Sequence, residues 1–390
     1  MRRLGRNFRQ RQPKQQLTAV QKALLVLRKF GTNAHIWIPG VGQLNGLTAG
    51  NYIDSAGTTL GAYDNPVGLG LDGLGSLGVE LATASTGWTP PSGVTVNATT
   101  SSIAFSGTQS AYAVVFASAT VAATVGKTYF VSYTVTGLSA GGVQVKAGGV
   151  SIGAKYADGT YSGYVVATTT DGIVVQEDGS SGSRFVGTVS GISSQEITGI
   201  HASQATTGSK PILRLGANGK SYWQFDGGDS LALSGPVFQM SDDHCVVAGF
   251  NPTTINGYQA VTNLASNSAS NARVCATYMD AGNQITTIWT NDAGTSFPAT
   301  ISGISVGITY VSSAICRSGS AKARLNGGAF SSTVNPTGAT ALNTGVVGGG
   351  NGVGSFVGSI YPIIAIKGTV SDADLLALER FVGLMSGVTI

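Results

Sequence analysis

Short runs that alternate apolar and polar residues, each closed by glycine, are the strongest constraint on what this chain can fold into. Tyr129-Phe130-Val131-Ser132-Tyr133-Thr134-Val135 is the clearest of them. Successive side chains on a strand point to opposite faces, so such a run buries one face and wets the other. Comparable runs follow at 143–146, 164–168 and 173–176, and later at 221–225, 245–250, 272–278, 284–290, 309–316 and 322–325. Strands about eight to twelve residues apart between glycine turns indicate β-sandwiches. The 57 glycines and the charged fraction of only 10% fit tight turns better than helices. The expected fold is mainly β: two antiparallel β-sandwiches (jelly rolls), one inserted in the other, with a short N-terminal basic arm and helix. No apolar run reaches the ~20 residues of a membrane span. No apolar segment leads to a small-residue cleavage site, so no secretory signal is expected.

The charge is unevenly placed. Of the 22 Lys and Arg residues, nine lie in residues 1–30, where no acid occurs; the remainder keeps 13 against 18 acids, a balance of −5. Arg2, Arg3, Arg6, Arg9, Arg11 and Lys14 form a polar arm. A basic arm on a mildly acidic body has the layout of a tether. A protein partner is favoured over nucleic acid, since Phe8 is the one aromatic among the arginines. Residues 17–30 read as a helix with Leu17, Val20, Leu24 and Leu27 as its apolar face, Thr18 or Gln16 at its start and Gly31 as its stop. That face needs a cover, either the body or neighbouring chains.

A second pattern concerns Tyr222-Trp223-Gln224-Phe225-Asp226-Gly227-Gly228-Asp229-Ser230-Leu231-Ala232-Leu233, which reads as two short strands around an acidic turn. Upstream stand His201-Ala202-Ser203-Gln204-Ala205-Thr206 and Lys210-Pro211-Ile212-Leu213. In this order the segments resemble the laminin-G/concanavalin A-like lectin folds of bacteriophage virion proteins, where an equivalent of the acidic turn is a hairpin. Residues 52–59 and 64–68 resemble the lead-in to that fold. The resemblance implies a lectin-like sandwich over 31–79 and 200–390. Residues 80–199 read as an insertion, similar to the carbohydrate-binding-module-like (galactose-binding-like) jelly rolls through Val125-Gly126-Lys127-Thr128-Tyr129 and Gly148-Gly149. The segment 185–196 departs from that pattern. Residues 1–30 are the arm and helix. Late in the chain, Asn326-Gly327-Gly328 reads as a turn, and Ser371 as the N-cap of a helix with Asp372 and Asp374 in its first turn and Leu375, Leu378, Phe381 and Val382 on its apolar face.

Chemistry-bearing patterns are sparse. A retaining glycosidase needs two carboxylates about 5 Å apart. The four glutamates, Glu80, Glu177, Glu196 and Glu379, form no such set. There is no nucleophile elbow, paired-histidine metal motif or phosphate loop. The expectation is a protein that is not an enzyme. Cys245, Cys275 and Cys316 sit among apolar residues without C-x-x-C spacing and read as buried thiols. His244 and Cys245, adjacent on a strand, point to opposite faces. Asp226, Asp229 and Asn263 are weak Ca²⁺ candidates; the competing reading is turn residues bonded to their own backbone. No other cofactor is expected. Trp88, Tyr112, Tyr156, Tyr161 and Tyr164 are candidates for stacking on sugar. Together these readings suggest a non-enzymatic structural component of a tailed-phage virion, in the neck, tail, fibre or capsid decoration, assembled in the host cytoplasm. Its expected partners are other virion proteins, copies of itself, possible host glycans and, through the arm alone, nucleic acid. The alternatives are a glycan-binding receptor adhesin and a polysaccharide depolymerase.

Overall fold

The computed structural model describes residues 17–40, 42–44, 47–49, 51–52, 61–67, 69–73, 75, 77–81, 90–97, 102–109, 114–116, 122–269, 272–337, 342–350 and 354–390. The basic residues Arg2 to Lys14 lie outside them. The fold is mainly β, with antiparallel sheets and a helix near each end of the described chain.

Helix α1 (Ala19–Phe30) starts at Thr18. The Thr18 hydroxyl accepts from the Gln21 N–H at 3.2 Å, and the Gln21 side chain accepts from the Thr18 N–H at 2.9 Å. Gly31 ends the helix at φ +54°, a conformation that favours glycine. The buried face is Val20, Ala23, Val26 and Leu27. Leu24 is half-buried, and Leu17 is 43% exposed. The expected stripe is therefore rotated: Leu17 precedes the first turn, and Ala23 and Val26 take the central places. The cover is the body itself. Val20 and Leu27 share a cluster with Ile36, Cys245, Val247, Ile364, Ile366 and the apolar face of helix α2 (Asp372–Ser386). Lys29 joins Asp374 at 2.8 Å.

A seven-stranded sheet carries both helices. Its order is Ile212–Leu215, Ser221–Asp226, Val357–Lys367, His244–Pro252, Tyr310–Arg317 and Ser320–Leu325, with Ala34–Trp37 alongside Val357–Lys367. A ten-stranded sheet faces it, running from Ser296–Ser302 through Gln259–Ser266 and Leu231–Leu233 to Asn51–Tyr52. Trp223, Phe225, Phe250, Trp289 and Phe356 fill the space between. Ile363 and Ala365 enter that core, whereas Ile364 and Ile366 meet the helices. Burial on both faces explains the unbroken apolar run at 363–366.

The acidic turn differs from its expected form. Ser221–Asp226 pairs with Ile212–Leu215 and Val357–Lys367 in one sheet. Leu231–Leu233 pairs with Ala202–Ser203 and Thr344–Val347 in the other. Residues 226–229 thus carry the chain between sheets and make no hairpin. The reason is that Trp223, Phe225, Leu231 and Leu233 all enter one core, so the two strands face each other across it. Asn326 and Gly327, at φ +50° and +67°, do reverse the chain, and Val334 returns to pair with Ala321.

Within residues 77–197 two further sheets enclose a separate cluster that includes Tyr129, Val131, Tyr133, Val145, Val175, Phe185 and Val189. One sheet centres on Thr128–Ala140 between Gly159–Val166 and Val186–Ile197; the other runs Val150–Ser151, Val143–Ala147, Ile173–Glu177 and Val114–Phe116. The atypical segment 185–196 forms the long strand Val186–Ile197.

Candidate glycan-binding site

Tyr156 follows the short strand Val150–Ser151 and is 52% exposed. Its ring lies directly on Gly142: a Cβ there would come within 2.4 Å of Cε1. The glycine is thus the seat of the ring. Asp178, just past the strand Ile173–Glu177, supplies the polar partner. Its Oδ1 accepts from the Ser180 N–H at 3.2 Å, and its Oδ2 accepts from the Ser180 hydroxyl at 2.5 Å and from the Tyr156 hydroxyl. The Ser180 and Tyr156 hydroxyls hold the carboxyl below the usual aspartate range, in that order of weight. It is an anion at neutral pH.

The surroundings fix this arrangement. The Asp178 N–H donates to Gly142 O at 2.8 Å. Asp158 accepts from the Gly137 and Leu138 N–H groups at 3.0 and 2.8 Å, which ties the segment carrying Tyr156 to the end of Thr128–Ala140. Lys155 donates to Ile152 O at 2.9 Å and lies 5.2 Å from the Tyr161 ring centroid. Burial pushes its pKa down. The result is an exposed aromatic face beside a charged acceptor and a serine hydroxyl. Such a set can stack on the C–H face of a sugar while accepting hydrogen bonds from its hydroxyls.

The other aromatic candidates are not gathered here. Tyr161 is half-buried at the core edge, 5.8 Å from Tyr133, and donates to Ala157 O at 2.7 Å. Tyr164 packs on Phe130 at 5.1 Å, on the opposite face of its strand from the buried Val165. Trp88 and Tyr112 lie outside the described residues. Tyr258, 62% exposed and edge-on to Tyr278 at 5.3 Å, is an aromatic the sequence reading did not select. Its only signal is its place directly after Asn256-Gly257.

The acids, the metal candidates Asp226 and Asp229 among them, are held by local partners. Glu80 accepts from Ser193 and Ser194, Glu177 lies 3.8 Å from Arg184, Glu196 pairs with Lys127 and Glu379 with Arg324. Asp229 accepts from the Asp226 N–H, and Asp226 from the Gly228 N–H, so this pair caps its own turn. Burial raises Asp229 to about 6. Asn263 is buried on Gln259–Ser266. Among the described residues no three His, Cys, Asp or Glu side chains form a metal-holding group. The three cysteines are free and buried. Cys245 faces the helices, while His244 lies against Phe238 and Trp289.

No family model matches the sequence, and no curated protein matches it. Among solved structures, the CBM40 of a Ruminococcus gnavus IT-sialidase, bound to alpha2,6 sialyllactose, is 15% identical at TM-score 0.31, over 35% of this chain and 83% of that one. Domain 4 of AbnA, a GH43 extracellular arabinanase from Geobacillus stearothermophilus in complex with arabinotriose, is 13% identical at 0.31, over 43% and 81%. Trypanosoma rangeli sialidase is 11% identical at 0.33, over 50% and 31%. Superpositions this loose fix neither a ligand nor an activity.

Proposed function

We propose that this protein is a non-catalytic, glycan-binding display component of a tailed-phage particle. The observation that carries the glycan reading is the Tyr156 ring, half-exposed on Gly142, with Asp178 and Ser180 at its hydroxyl end. Its role is recognition by stacking and hydrogen bonding, without bond-making. The phage setting is supported by the resemblance of residues 201–233 to virion lectin-like folds. The basic residues Arg2 to Lys14 serve as the tether, supported by the charge split between arm and body. Because α1 belongs to the folded body, the tether is residues 1–16 rather than 1–30.

The test is a glycan array on the full chain, repeated with Tyr156→Ala and Tyr156→Phe. Tyr156→Ala removes the stacking surface and should weaken binding by at least about tenfold. Tyr156→Phe keeps the ring and should weaken it less. A binding profile unchanged by Tyr156→Ala, or the absence of any glycan signal, would refute the reading.

A further inference from the structure

A cleft of about 520 Å³ lies where α1 meets the two connections to residues 77–197. Leu27, Arg28, Gly31, Thr32, Ala34 and His35 line it from one side, and Asp72 and Thr198 to Ile200 from the other. Its volume falls within the ~300–1,000 Å³ of small-molecule sites.

The floor is a buried, oriented histidine. His35 is 6% exposed and donates Nδ1–H to Asp72 Oδ2 at 2.6 Å. Asp72 Oδ2 also accepts from the Ile200 N–H at 3.3 Å, and Oδ1 from the Ile36 N–H at 3.0 Å. Three donors therefore surround the carboxylate. Gly199, at φ +128°, lets the backbone come this close, since a Cβ there would stand 2.9 Å from Asp72 Oδ2. His201 stands behind, its Nδ1 accepting from the Asp72 N–H at 3.0 Å and its Nε2 bonded to Ile197 O at 3.1 Å.

With Nδ1 committed to Asp72, the remaining polar atom of His35 is Nε2, which has no partner among the described residues. Arg28, exposed on the cleft wall, makes no hydrogen bond or ion pair among the described residues. The nearby helix carbonyl of Leu27 is taken by the Gly31 N–H. A guanidinium and an imidazole edge thus border the cleft while its one carboxylate is already saturated.

We infer that this cleft binds a small ligand bearing an oxyanion, a carboxylate or a phosphate, on a body about the size of a monosaccharide. Arg28 pairs with the oxyanion through its fork of N–H donors. His35, as the imidazolium, donates Nε2–H to the same oxyanion while its Nδ1–H stays on the Asp72 carboxylate. The ionisable groups around His35 are Asp72 at Nδ1, His201 behind it, Arg28 on α1, and Lys127, which acts on His201 and pairs with Glu196 at 3.4 Å.

The site is independent of Tyr156 and is tested separately. The full chain is titrated calorimetrically with glucuronate, glucose 6-phosphate, inorganic phosphate and glucose, with the His35 ring followed by NMR. Either acid sugar should bind and shift the His35 resonances, and glucose should do neither. Binding by one acid alone assigns the ligand to that oxyanion, and binding by inorganic phosphate assigns the free ion. Arg28→Gln, at an exposed residue without a partner among the described residues, should leave the thermal melt unchanged and weaken binding by at least about tenfold. Failure of all three anions at millimolar concentration, equal binding of glucose, or unchanged affinity in Arg28→Gln overturns the inference.

Discussion

Acid should weaken this fold through His244. The ring is 1% exposed and fully engaged in its neutral form. Nδ1–H donates to Asp242 O at 2.7 Å, Nε2 accepts from Trp289 Nε1–H at 2.9 Å, and Phe238 stacks at 4.7 Å. A second ring proton would face the indole N–H. Burial is the main cause that pushes its pKa down to about 4, from 6.5 in an unfolded chain. Between these values the unfolded state binds a proton that the folded state refuses. Stability attributable to His244 is therefore complete above pH 6.5 and is lost as pH falls toward 4. The gap of about 2.5 units amounts to roughly 3 kcal/mol at 1.36 kcal/mol per unit. Urea unfolding at pH 7, 6, 5 and 4 should show this loss, and His244→Gln, which cannot titrate, should lack that component. Subtracting the two profiles removes Asp229, whose raised pKa acts in the opposite direction. A native His244 that titrates near 6.5 by NMR, or equal pH slopes in both proteins, would refute the argument.

Further expectations concern buried charge, thiols and the tether. Arg324 grips Glu379 at 2.7 Å through both Nε and Nη2, with the Glu379 side chain fully buried. Glu379→Gln should cost about 3–5 kcal/mol in urea unfolding, and replacing both residues with methionine should cost less than the sum of the single changes. Asp229→Asn should stabilise the protein at pH 8 and leave it unchanged near pH 4, because the buried carboxyl already holds its proton there; equal effects at both pH values would contradict this. Burial raises Cys245, Cys275 and Cys316 above the ordinary thiol range. Native protein should not react with a thiol reagent, whereas denatured protein should yield three equivalents. Deleting residues 2–16 should preserve the melting temperature and abolish incorporation into particles, whereas deleting 2–30 should destroy the fold.

Local signals in the sequence read well where local physics decides. Ser371 does accept from the Asp374 N–H, at 3.2 Å, and Leu375, Leu378, Phe381 and Val382 are fully buried. Thr18 and Gly31 bound α1 for the same kind of reason. Partner choice was less legible. Leu231 pairs with Val347, and Asp226 with Val357, so the acidic segment belongs to two sheets whose other strands lie far along the chain. Both flanking strands alternate as a hairpin would, and their own residues do not record the difference. The candidate site divides the same way: Tyr156 stood out as an aromatic, but its seat on Gly142 and its bond to Asp178 depend on tertiary contacts. His35, Asp72 and Arg28 carry no shared spacing, and only the path of the chain around residues 77–197 brings them together.

The place of Val357–Lys367 also governs the order in which the molecule can be completed. This strand lies between Ser221–Asp226 and His244–Pro252 and also pairs with Ala34–Trp37. It is the last of the seven strands in chain order, so the sheet stays open until residues 357–367 have been made, with the apolar side of α1 waiting for its cover. Residues 77–197 need no such late arrival, since among the described residues their strands pair only with one another. During translation residues 77–197 can close first, and the surrounding sandwich shuts once residues 357–367 have followed.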